Sequence, residues 1–185
     1  MINTPFSWIA VEQQGSVLVM LCVASLALMK MLSTIGIGLT IKSRNIPLGI
    51  VNLELPWSPQ RAASIVKVWR EQGVIEKAVQ QTKLDFVLLL IYPVAVSLAC
   101  TMLVGSGDGL TATIGMVLSW AVLLCTPLDA FENFMILRML SGSCDSPVPQ
   151  LTTIAAGLKF FLMIAIVFYM LYMVTLKILP LLHPN

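Results

Sequence analysis

Asp129, Glu132 and Asn133 stand inside an apolar run, Leu124-Cys-Thr-Pro-Leu-Asp-Ala-Phe-Glu-Asn-Phe-Met-Ile-Leu137. Their i, i+3, i+4 spacing puts all three on one face of a helix. Two neighbouring carboxyls can divide into an acid and a base, or hold a ligand or a proton between them. In lipid an ionised side chain costs at least ~2.5 kcal/mol, so the rest of the chain has to supply partners. Lys30, Asp85, Tyr92 and Lys159 are the polar residues of the other apolar stretches that are placed to do so.

The chain of 185 residues is 58% hydrophobic and 11% charged, with a mean hydropathy of +0.92. Soluble domains carry about 25% charged residues, so too little charge is present here to cover a water-facing surface. Lipid bilayer is the expected surrounding. The net charge of +2 gives no basis for nucleic-acid binding. The one histidine, His183, lies beyond Pro180, and Cys22, Cys100, Cys125 and Cys144 form no C-x-x-C pair. No metal site, cofactor or thiol–disulfide chemistry is therefore expected. Residues 1–15 hold no Lys or Arg, which does not fit a secretory signal.

A bilayer core needs about 20 apolar residues in a helix. Four stretches meet this, at about 17–41, 84–104, 110–140 and 151–179. The expected fold is all-α: one membrane domain over 1–185, a bundle of four transmembrane helices. A cytoplasmic amphipathic segment, 57–82, joins the first span to the second. In it Ser58 caps a helix, Pro59 takes the first helical position, and Ala62, Ile65, Val66 and Trp69 share one face. Gly73 breaks the segment, and a basic amphipathic helix of this kind is expected in the membrane interface. Residues 50–55 alternate apolar and polar, as a short extended strand would. The 42–83 segment holds seven Lys or Arg, whereas the 105–109 link holds none. By the positive-inside rule this segment and the 141–150 link face the cytoplasm of an inner (plasma) membrane, and both termini lie outside.

Counting 1.5 Å per residue from the cytoplasmic ends puts the polar residues at one depth. Lys30 falls at about 18 Å, Asp129 and Tyr92 at about 14 Å, Lys159 at about 12 Å and Glu132 at about 9 Å. Two lysines face two acids, so the layer is neutral. Pro93 and Pro127 fall at about 15–17 Å, and each deprives a carbonyl four residues earlier, Leu89 or Leu123, of its helical donor. That carbonyl then needs another donor in lipid. The layer reads either as an interhelical clasp or as a small polar cavity open to the cytoplasm, extended by Asp85. Small pairs, Ala95/Ala99 and Gly115/Ser119, permit close helix contact. The aromatic residues Phe160, Phe161, Phe168, Tyr169 and Tyr172 of the last span are expected to face lipid or a partner.

Trp57-Ser-Pro-Gln-Arg-Ala62, Leu84-Asp-Phe86 and Leu128-Asp-Ala-Phe-Glu-Asn133 with Arg138-Met-Leu140 resemble the motifs of an uncharacterised family of small bacterial four-span integral membrane proteins. The resemblance covers about residues 53–140. It implies a four-span fold and joint action of Arg61, Asp85, Asp129, Glu132 and Asn133, with no activity attached. Three functions fit. The first is an accessory, assembly or interaction subunit working with other membrane subunits or as a homo-oligomer. The second is a carrier of a small solute or protons through the polar layer, and the third a membrane enzyme acting on lipid with Asp129 and Glu132. Vitamin K epoxide reductase-like enzymes also have a four-helix core, but the C-x-x-C they require is missing here.

Overall fold

The computed structural model describes residues 4–182 other than Ser106 and Asp108; Asp108 of the 105–109 link and His183 lie outside the described residues. Four helical units are long and apolar enough to cross a membrane. They are α1 (Val11–Ile35), α4 (Ile75–Val104), α5 with α6 (Gly109–Ala121 and Cys125–Leu140) and α7 (Val148–Leu182). Between α1 and α4 lie α2 (Val51–Glu54) and α3 (Pro59–Glu71). No strand occurs among the described residues. The chain is an all-α, multi-pass membrane bundle whose outer helix faces meet lipid.

The helix ends differ from the apolar runs for physical reasons. The apolar run around α1 continues to Ile41, but the helix stops at Ile35, with Gly36 as its cap and Gly38 at φ 96°. The apolar residues beyond it, Leu39 and Ile41, are buried elsewhere, in the core under α3. α4 starts nine residues before its expected apolar run and carries Glu76, Lys77 and Lys83 on its first turns. The third span is broken by one 3-10 turn, Val122–Leu124. Pro127 has no N–H to offer Leu123, and the N–H of Cys125 reaches the carbonyls of Leu123 and Val122 instead.

Residues 50–55 are not extended. They make the single turn of α2, so that the chain reverses between the Ile41–Ile46 bridge and α3. α3 begins as its sequence dictates: the Ser58 hydroxyl accepts from the Arg61 N–H at 3.2 Å, and Pro59 opens the helix. Its apolar face is used differently from expectation. Ala62, Ile65, Val66 and Trp69 are buried with Leu39, Leu53, Ile136, Met139 and Leu140, so the protein itself covers the face assigned to the membrane interface. Trp69 is fully buried and donates from Nε1 to the Leu39 carbonyl at 3.0 Å. Gly73, at φ 68°, provides the left-handed turn between α3 and α4 that a side chain would resist.

α4 is the central helix and packs on α1, α5 and α6, while α6 pairs with α7. Two apolar cores result. One joins α3 to the ends of α4, α6 and α7. The other, deeper, gathers Cys100, Val122, Cys125, Ile166, Tyr169 and Met173. Of the α7 aromatics, Phe161, Phe168 and Tyr172 are exposed, but Tyr169 turns inward. Its hydroxyl lies where a Cβ on Gly115 would stand, with Val104 on the other side. Gly115→Ala is therefore expected to force α5 away from α4 and α7 and to lower stability by about 2 kcal/mol. Thermal melting in detergent is the check; an unchanged midpoint would show that Tyr169 can move aside freely.

Candidate polar site in the membrane core

The polar residues lie between the two apolar cores, and helix counting explains why they meet. α6 and α7 are antiparallel and joined by the short loop that follows Leu140. Asp129 lies eleven residues before that loop and Lys159 eleven residues into α7. At 1.5 Å per residue both stand about 16 Å from it. Lys159 Nζ lies 2.6 Å from Asp129 Oδ1 and 2.9 Å from Glu132 Oε2. Asp129 and Glu132 are buried and Lys159 largely so: the side chains are 5%, 2% and 12% exposed. The ammonium also sits 5.0 Å from the Phe160 ring centre.

α4 runs antiparallel to α6, so partners rise along one helix as they fall along the other. The Tyr92 hydroxyl donates to Asp129 Oδ2. Asn133 Nδ2 donates to Asp85 Oδ2 at 2.8 Å, one helical level nearer the α6–α7 loop. One turn before Asp129 on α6, the Thr126 hydroxyl donates to the Leu89 carbonyl at 3.0 Å. That is the carbonyl Pro93 leaves without a helical donor, and a hydroxyl from the facing helix supplies it. Thr126→Val keeps the shape and removes the donor. It is expected to cost about 1–2 kcal/mol, read as a lower melting temperature; a Thr126→Ser variant should keep most of the stability.

Lys30 does not join the layer. It is exposed, and it has no ion pair among the described residues. Because α1 ends at Ile35, Lys30 lies only five residues from the helix end, about 8 Å, within the reach of a lysine that extends to the headgroups. The expected neutrality of two lysines against two acids is therefore lost. Arg61, linked to the acids by the family resemblance, is also elsewhere: its Nη2 donates to the Asn45 carbonyl at 2.6 Å and ties the 42–46 turn to α3.

One member of the site was not expected. Glu54, at the end of α2, is half-buried and lies in electrostatic range of Lys159, Asp85 and Asp129. Burial holds its carboxyl above the ordinary carboxylate range, and the Lys159 charge offsets only part of that rise. It is the only carboxyl between Ile35 and Arg70, a signal that could have singled it out in so basic a segment. Glu54 and Asp85 line one side of a cavity of about 40 Å³, with Gln81, Thr82 and Asn133 beside them and Leu32, Ile50 and Ile136 closing it. The buried Gln81 Oε1 has no hydrogen bond among the described residues, leaving an acceptor beside the cavity. Among the described residues no cluster of His, Cys, Asp and Glu is arranged to hold a metal ion.

Four carboxyls, Glu54, Asp85, Asp129 and Glu132, thus gather about one ammonium and one phenol. Such a group can exchange protons or lock helices together. No protein family, curated protein or solved structure matches the chain.

Proposed function

We propose that this chain is a proton carrier of a bacterial inner membrane, with Asp129, Glu132 and Lys159 as the proton-binding centre. Glu54 and Asp85 form the approach to it. The observation that supports this is the charge imbalance: four carboxyls share one buried cation. One ammonium balances one carboxylate, and an unmatched charge at low dielectric costs several kcal/mol. Neutrality at this depth calls for bound protons. The cavity volume narrows the cargo. About 40 Å³ has room for about three waters, whereas organic ligands occupy pockets of roughly 300 Å³ or more.

The basic 42–83 segment orients the chain with α2 and α3 on the cytoplasmic side, so that Glu54 and Asp85 face the cytoplasmic supply of protons. Residues 4–10 and the far end of α7 then lie on the opposite side. A second reading, an interaction or assembly subunit whose polar layer is only a clasp, is favoured by the double bridge of Lys159 to Asp129 and Glu132.

The two readings separate in liposomes holding the full-length chain and a trapped pH-sensitive dye, with the membrane potential clamped. A carrier collapses an imposed pH step faster than protein-free liposomes do. Glu132→Gln and Asp129→Asn, checked for folding, remove the excess rate. A rate equal to that of protein-free liposomes, or one unchanged in both variants, sinks the carrier and leaves the clasp.

A further inference from the structure

The turn that carries Glu54 inward also carries apolar residues outward. Leu48, Leu55 and Trp57 are 64%, 43% and 63% exposed, while Leu53 between them is fully buried. Trp57 adopts φ 56°, a backbone region that bulky residues rarely occupy. Its N–H donates to Thr153 Oγ1 at 3.0 Å. Thr153 lies five residues inside α7, about 8 Å along it, beside Leu151 and Ile154, which are exposed on the same helix. The outward patch is therefore continuous with the outer face of a membrane-crossing helix.

The N–H groups of Val51, Asn52, Leu53, Glu54 and Leu55 all donate to carbonyls within the turn, and Ser58 N–H donates to Pro56. Trp57 is held by Thr153, and Pro56 has no N–H to place. Every backbone N–H from Val51 to Ser58 is thus occupied within the turn or by Thr153, so no bare backbone donor bars this segment from the edge of the bilayer. An outward tryptophan with neighbouring leucines suits the headgroup–acyl boundary, where an amphipathic ring is favoured.

We propose that residues 48–57 form a re-entrant turn seated in the cytoplasmic leaflet, with Leu48, Leu55 and Trp57 in lipid and Glu54 directed to the polar core. The lipid contact moves from the helix after Ser58, whose apolar face the protein covers, to the turn before it. This placement does not depend on whether the core carries protons.

Tryptophan quenching tests it. The full-length chain with Trp8 and Trp120 changed to Phe keeps Trp57 and the buried Trp69. In phosphatidylcholine vesicles whose acyl chains carry bromine near the headgroup, emission should fall relative to unbrominated vesicles. Trp57→Phe on the same background should abolish the fall. Quenching by aqueous iodide with no response to bromine would place Trp57 in water and overturn the proposal, and a turn reserved for a protein partner would give that result in purified protein. Should the multiple variant fold poorly, the same bromine difference between the native chain and Trp57→Phe decides the matter.

Discussion

Lys159→Met is expected to destabilise the protein by about 3–5 kcal/mol, the cost of removing one partner of a buried ion pair. The side chain volume is nearly kept, so packing contributes little. What is lost is, among the described residues, the only cation within 3 Å of Asp129 and Glu132. Both acids are buried, and Asp129 keeps only the Tyr92 hydroxyl while Glu132 Oε2 has no aligned hydrogen bond among the described residues. The charges left behind set the penalty, and this yields a compensating variant. Lys159→Met with Asp129→Asn and Glu132→Gln removes the cation together with the two carboxyls that face it, and should recover most of the loss. Thermal melts of the three forms in one detergent make the comparison. A Lys159→Met protein with a wild-type midpoint would mean that the ammonium repays no more than its own burial.

Trp69→Ala should cost about 3–5 kcal/mol as well, for a different reason. The indole is fully enclosed where α3 meets Leu39, Ile136 and Met139. Truncation opens a cavity that the ends of α4 and α6, fixed by their long spans, are poorly able to close. It also strips the Leu39 carbonyl of its donor. Trp69→Phe separates the two effects: it retains most of the volume and loses the hydrogen bond, at about 1 kcal/mol. Limited proteolysis is the local readout, since residues 42–70 hold five Lys or Arg that loosening would expose. If Trp69→Ala were no more protease-sensitive than Trp69→Phe, the core around α3 would not be what holds this segment down.

Much of the bundle could be read from the sequence because lipid imposes simple rules. Four apolar lengths mark four crossings, and equal counts from a short loop bring Asp129 and Lys159 to one level. Ser58 and Pro59 announced α3, and the apolar face of that helix was evident from its spacing. What that face packs against was not evident. An amphipathic stripe looks the same whether lipid or Leu39 and Ile136 cover it. Lys30 was misplaced because its depth was counted from Lys42, across an apolar stretch that turns out to be loop and core. Glu54 was missed for a related cause. A polar residue in a turn has no helical register to fix its depth, and only the tertiary path of residues 36–57 brings it to the other acids.

The matched spacing of Asp129 and Lys159 about the α6–α7 loop bears on how the chain enters the membrane. Alone, the α6 half of the third span presents two carboxylates to lipid and the fourth span presents an ammonium, each at a cost of about 2.5–3.5 kcal/mol per charge. Paired across the short loop, the ammonium offsets one of the two carboxylates before the helices meet the hydrocarbon. Biogenesis is then favoured when the third and fourth spans leave the insertion machinery together, as a hairpin, and a nascent chain ending after Leu140 would be held back from the bilayer until Lys159 has been synthesised.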